Sequence, residues 1–322
     1  MNKIQFIVLS ILMTLLLSCT NDLSNSTDLK KMNIKDKVKY IDESIFNASE
    51  KFGEIVKGEL INSWKAESKY EFNSNGFLVK ESHYYQNGKL SGEEDWIYNE
   101  ENKLITKDQS KMYGGGTLEV YDGINVLIWD VSISKYSCIY NDNGNLKERL
   151  FFNSWGDLFE KAIYKYNKKN LLTTIDRYNS EGKRKKRYAF KYHANKKLKE
   201  EIEYRSNGKI SGKRIYDERG YCISFETYNK NGVSKRKNIF KNDNNGNIIE
   251  EKWSDTGNTN KYSYNKKGNQ ISFVRYDSFG DIINSEYFEY EYDERGNWIK
   301  KINFEGENRE VKDVTNRTIK YY

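Results

Sequence analysis

The chain has 322 residues, a formal net charge of +7 and 31% charged side chains, with Lys and Arg interspersed among Glu and Asp almost throughout. Nucleic-acid binding gathers cations on one face, so this even mixing argues against a nucleic-acid partner. Apolar residues are only 37%, yet aromatics reach 15% with 26 Tyr, and Pro is absent. Disordered chains lack aromatics, and Pro removes a donor from a strand ladder, so the composition points to a folded chain made largely of strands.

The first 18 residues have one early cation, Lys3, then an apolar stretch from Ile4 to Leu17 that runs into the polar TNDLSNSTDLKK. A membrane-spanning helix needs about 20 apolar residues; this shorter run is laid out as a secretory signal. Leu16-Leu17-Ser18-Cys19 resembles the bacterial lipobox. That resemblance implies that Cys19 is diacylated, that residues 1–18 are removed, and that Cys19 becomes an anchored N-terminus. Thr20 rather than Asp after the cysteine implies an outer-membrane or surface destination if the organism has two membranes, and a cell-envelope address in either case. Several acyl chains on one residue hold far more firmly than one, at about 0.8 kcal/mol per buried CH₂. Removing the signal, with its single cation, leaves 304 residues at a net charge of about +6. Residues 19–31 read as a polar tether; twelve residues from Thr20 reach roughly 40 Å when extended.

Residues 32–64 form a separate N-terminal segment. Val38, Ile41, Ile45, Ala48, Phe52 and Ile55 recur at helical spacing, while VKYIDESIF is β-rich. The context favours strands with a turn near Gly53.

From residue 65 to 322 the chain repeats itself. An aromatic residue, three mostly polar residues and Gly or Asn recur as YNDNG (140–144), YNKKN (166–170), YNSEG (178–182), YRSNG (204–208), YDERG (216–220 and 292–296), YNKNG (228–232) and YNKKG (264–268), at a step of about 12 residues. One short strand and one tight turn fill such a step, so the chain reverses at each. Gly144, Gly208, Gly220, Gly232, Gly246, Gly268 and Gly296 are turn glycines on this reading. Two residues after each comes a mostly apolar position, among them Leu146, Leu158, Leu172, Cys222 and Ile248. Strict alternation then places Glu148, Glu160, Glu200 and Glu250 on the same inward face. The fold class is all-β, a meandering antiparallel sheet, elongated or curled.

YDERGN (292–297) and YNDNGN (140–145) resemble the YD repeats of RHS-type surface and toxin-carrier proteins, and YYQNGKLSGEE (84–94) resembles the MORN-type repeat. Both resemblances imply architecture more than activity. RHS carriers are also far longer than this chain.

Candidate chemical groups are few in the sequence. His83 and His193 sit beside repeat aromatics and read as surface strand or turn residues. Asp217, Glu218, Asp293 and Glu294 lie in exposed turns, whereas a glycosidase needs two carboxylates facing each other across a sugar. Lys183 to Arg187 is the one dense basic run, read as the solvated face of a strand or hairpin. Gly114 to Gly116 have no strand-then-helix context and read as a break between repeat blocks. Cys138 and Cys222 could be bonded in an exported protein or buried as small apolar residues. No catalytic residue, metal ligand or cofactor site is expected. The function expected is that of a non-enzymatic lipoprotein that presents a surface to a protein or glycan. Two alternatives are an immunity lipoprotein paired with a repeat-bearing toxin, and a glycan-active enzyme.

Overall fold

A computed structural model describes residues 27–112, 117–121, 124–128, 133–153 and 155–322. Cys19, the signal and Gly114 to Gly116 lie outside the described residues. A single helical turn, α1 (Asp28–Lys31), is capped by Thr27, whose Oγ1 accepts from the Lys30 amide. Then come β1 (Val38–Lys51), β2 (Glu54–Leu60), β3 (Glu67–Phe72), β4 (Leu78–Tyr84), β5 (Leu90–Tyr98) and β6 (Leu104–Met112). A small hairpin, β7 (Thr117–Tyr121) with β8 (Ile124–Ile128), forms a sheet of its own. The series continues with β9 (Ile133–Tyr140), β10 (Leu146–Asn153), β11 (Leu158–Tyr166), β12 (Leu172–Asn179), β13 (Arg184–Tyr192), β14 (Leu198–Arg205), β15 (Ile210–Tyr216) and β16 (Cys222–Tyr228). It ends with β17 (Ser234–Asn242), β18 (Ile248–Trp253), β19 (Thr259–Tyr264), β20 (Gln270–Tyr276), β21 (Ile282–Tyr292), β22 (Trp298–Glu305) and β23 (Glu310–Tyr321).

The all-β, antiparallel meander expected from the repeats is present, but the sheet does not stay open. β1 pairs with β23 on one side, from Val38↔Tyr321 to Asn47↔Asp313, and with β3 on the other, from Tyr40↔Glu71 to Ser44↔Glu67. β6 pairs with β9 across the β7–β8 excursion. The result is a closed β-barrel of 20 strands, with β2 extending β1 as a hairpin beyond the ring. Closure removes the two free edges that an elongated or curled sheet would leave for uncontrolled pairing. The 32–61 ambiguity resolves to strands, and the β1–β2 turn falls on Phe52 and Gly53, both at positive φ.

The repeat chemistry sits at the turns. At one end of the barrel, Asn141 accepts the amides of Asn143 and Asn145 through its side-chain oxygen, while the Gly144 amide returns to the Asn141 carbonyl. Asn73, Asn99, Asn167, Asn265, Asp217, Asp243 and Asp293 do the same in their own turns. All seven predicted turn glycines have φ between +76° and +89°, and Asn102, Asn170 and Lys196 hold the equivalent left-handed position elsewhere. Nothing lies within 4 Å of a Cβ built on Gly208. Gly208→Ala should therefore lower stability by backbone strain alone, about 1 kcal/mol, read as a shift in the denaturant midpoint; an unchanged midpoint would count against a strained turn.

Most turns are followed by a slip in register. Tyr166 pairs with Leu172 but Lys165 pairs with Thr174, which leaves Thr173 as a bulge. The same slip separates Leu146 from Glu148, Leu198 from Glu200 and Ile248 from Glu250. A bulge reverses the alternation, so strict period-2 counting fails here. Glu148, Glu200 and Glu250 face outward, which corrects the common inward assignment; Glu160 faces inward, but Leu158 beside it points out.

The repeat tyrosines tie neighbouring hairpins together. The hydroxyls of Tyr98, Tyr140, Tyr166, Tyr192 and Tyr264 donate to the carbonyls of Leu78, Leu104, Leu146, Leu172 and Ile248 at 2.7–3.0 Å. Each such bond contributes about 1 kcal/mol net. The main apolar core lies inside β9 to β16 and includes Phe151, Ala162, Ile175, Tyr188, Phe190 and Leu198.

Candidate functional site

The inner and outer faces of the barrel differ in chemistry. Outward, charges alternate across strands: Lys191, Glu200 and Lys213 form a ladder at 2.7 and 2.9 Å, Lys241 meets Glu250 at 2.7 Å, and Lys300 meets Glu291 at 2.7 Å. The basic run at 183–187 is also paired, with acids of both faces. Lys183 pairs with Glu181, Lys185 with Glu160, Lys186 with Glu203, and Arg187 with Asp176. Neutralised cations of this kind do not make a polyanion groove.

Inward lies a belt of buried polar groups, each held by a neighbouring strand. Arg317 meets Glu43 at 2.8 Å, Lys107 meets Glu94 at 2.7 Å, Arg177 meets Glu160, and Arg214 with Tyr216 meets Glu201. Glu251 accepts from Asn238, Asn260 and Tyr262. Burial alone would push the Glu43 and Glu81 carboxyls up. Arg317 and Lys301 hold Glu43 below the usual range, and the His83 hydrogen bond with the Lys65 charge does so for Glu81. Glu286 and Asp313 are pushed up by burial, against the pull of Lys312 and Lys301 respectively.

These opposite shifts set a pH profile. A raised carboxyl binds its proton more tightly when folded, so stability rises as pH falls through the Glu286 and Asp313 range. Depressed carboxyls act in reverse, and the contribution of Glu43 and Glu81 is lost as pH falls further, below the unfolded value of about 4.3. Denaturant midpoints across pH should thus pass through a maximum in mild acid, and Asp313→Asn should flatten the limb on its alkaline side. An Asp313→Asn profile identical to that of the parent would refute the assignment.

His83, expected at the surface, lies in the interior with 2% of its surface exposed. Its Nδ1 is 2.8 Å from Ser68 Oγ and its Nε2 is 2.7 Å from Glu81 Oε1. Serine, imidazole and carboxylate in a row is the geometry of an activated nucleophile, but such a hydroxyl must meet a substrate. Ser68 is 4% exposed, and the Trp64 ring packs edge-on against His83 at 5.3 Å. The cluster locks β3 to β4. Sequence reasoning missed it because bulges hide which face His83 occupies.

His193 lies in the β13–β14 turn, with Nε2 3.0 Å from the Tyr216 carbonyl. Asp217 and Asp293 serve their own turns, and Glu218 and Glu294 are exposed. Cys138 and Cys222 are both buried. Among the described residues, no three His, Cys, Asp or Glu side chains gather as metal ligands.

The two ends of the barrel also differ. Residues 27–37 lie over the end formed by the β3–β4, β19–β20 and β21–β22 turns. Leu29 donates to the Gly76 carbonyl, Asn33 to the Lys267 carbonyl, and Lys35 to Asn297 Oδ1. At the opposite end, large apolar side chains project from turn tips: Phe52 is 107%, Trp155 83% and Phe279 90% exposed. Turn tips need only small polar residues, so these aromatics are not explained by the fold.

No family model matches the chain, and no curated protein matches it. Among solved structures, a porin-like protein from Bacteroides uniformis is 12% identical, with 88% of this chain and 96% of that one covered at a TM-score of 0.34. A second porin-like protein, from Bacteroides vulgatus, is 9% identical over 89% and 99% at a TM-score of 0.28. TcdB2-TccC3 without its hypervariable C-terminal region is 10% identical at a TM-score of 0.31; the aligned part covers 74% of this chain but only 14% of that one.

Proposed function

We propose that this is a non-enzymatic lipoprotein of the cell envelope, anchored through Cys19, whose barrel stands outside the bilayer and offers its far rim to a protein or glycan partner. The observation that carries this reading is the set of bare aromatics, Phe52, Trp155 and Phe279, at the end opposite the N-terminal segment. Rigidly mounted aromatics are apt contact residues. A barrel that crosses lipid needs an outward apolar band; the outward Lys and Glu ladders suit water instead.

Two experiments test the two halves. Cys19→Ala should abolish incorporation of labelled fatty acid and free the protein from membranes; unchanged labelling would overturn the anchor. Phe52→Ser, Trp155→Ser and Phe279→Ser in combination should abolish specific recovery of a partner from envelope extract or a glycan array, with the fold intact by circular dichroism. Equal recovery by parent and variant would place recognition elsewhere.

A further inference from the structure

We propose that the end of the barrel carrying residues 27–37 is itself a docking surface, which lies flat on a bilayer through contacts with anionic phospholipid headgroups. The inference rests on the anchor proposed above and adds an orientation to it. Two independent observations support it.

The first is reach. The described chain begins at Thr27, two residues before the Leu29 amide donates to the Gly76 carbonyl of the barrel end, and only eight residue steps separate Thr27 from the anchor at Cys19. Extended, they span at most about 26 Å. The barrel end with the β3–β4, β19–β20 and β21–β22 turns is therefore held next to the headgroups, and the aromatic rim is turned away.

The second is charge. On this same end, the β11–β12 and β13–β14 turns form an open cleft lined by Lys168, Lys169, Lys191, Lys196 and His193. Lys191 is paired with Glu200, but Lys168, Lys169 and Lys196 make no ion pair among the described residues. Several strands round the ring, the Lys267 carbonyl of the β19–β20 turn accepts from Asn33, whose Oδ1 accepts from Lys35, while Lys30 and Lys37 of the same N-terminal segment border the β3–β4 turn. Acids of this end are engaged elsewhere: Asp217, Asp243 and Asp293 cap their own turns, Asp28 pairs with Lys31, Asp36 with Arg295 and Glu101 with Lys103. Glu100, Asp142 and Glu218 remain on turns between the two clusters, and Glu294 on the β21–β22 turn beside the N-terminal segment. The far-rim turns lack such an excess: Asp157, Asp277 and Glu307 there are offset by Lys89, Lys209 and Lys230. Basic clusters at two separated points, joined to a short anchor at one of them, seat the barrel end squarely where a single cluster would leave it tilting. Lysines near an anionic leaflet are attracted within a Debye length.

The test uses the processed, lipidated protein reconstituted into vesicles of phosphatidylcholine alone or of phosphatidylcholine and phosphatidylglycerol in equal parts. Lysines are labelled briefly with an amine-reactive reagent and read by mass spectrometry. Labelling of Lys168, Lys169, Lys196, Lys266 and Lys267 should fall about fivefold in the anionic vesicles. It should recover in high salt, while Lys89 and Lys209 on the far rim stay unchanged. Equal labelling in both vesicles, or protection of the far rim instead, would overturn the proposal. Lys168→Glu with Lys169→Glu and Lys196→Glu should erase the difference at Lys266 and Lys267 by letting the barrel tilt, while the protein still floats with both vesicles. Failure to float with phosphatidylcholine vesicles would count against the anchor; flotation without the labelling contrast would count against the docking alone.

Discussion

Phe151→Ala should lower the unfolding free energy by about 3–5 kcal/mol. Phe151 is fully buried on the inner face of β10, with its ring centroid 6.0 Å from that of Tyr136 and the Arg177 guanidinium 5.4 Å away. Its register partners are Tyr136 on β9 and Glu160 on β11. Truncation removes the apolar contacts and opens a cavity that neighbours fixed in a continuous ladder cannot close. Because Arg177 and Glu160 edge that cavity, water can enter it, which places the loss nearer the lower bound. Urea unfolding followed by circular dichroism measures it, and a loss under about 1 kcal/mol would show that this stretch of core is loosely packed.

Arg177→Ala should cost a similar amount, for a different reason. The Arg177 and Glu160 side chains are 7% and 4% exposed, and they meet across β11 and β12. Removing the cation leaves a buried carboxylate short of its partner, a change that costs about 3–5 kcal/mol in buried pairs. Lys185, with Nζ 3.3 Å from the second Glu160 oxygen, offsets part of that loss. Replacing both partners at once, Glu160→Leu with Arg177→Met, should recover most of the stability, since the uncompensated charge is gone. A double variant as unstable as Arg177→Ala would show that the pair sets the geometry of the inner face rather than merely neutralising itself.

Turns were legible because their chemistry is local: a positive φ at Gly208 or Asn170, and an Asn or Asp carbonyl that reaches amides two and four residues on, involve no distant partner. Strand identity for residues 38–51 followed from the same context. Facing was not legible. A bulge residue in most strands, such as Thr173 or Lys199, reverses the alternation, and with it the positions of Glu200, Glu250 and His83. The buried Ser68, His83 and Glu81 cluster was missed for that reason; a signal in its favour was His83 standing two residues from an acid and one step from a turn. Cys138 and Cys222 could not be settled either, because their separation depends on how many strands lie between β9 and β16 in the ring.

Sequence alone determined the strand and turn alphabet of this protein and its antiparallel order, since each is written in contiguous residues. Only the tertiary structure decided that the sheet closes. Closure depends on β1 pairing with β23, where Ile41 meets Ile319 and Glu43 meets Arg317 across nearly the whole chain. No local pattern encodes a partner so distant; the gain comes from satisfying two free strand edges at once. The same closure sorts the two ends, placing residues 27–37 and the unpaired lysines at one and the bare aromatics at the other.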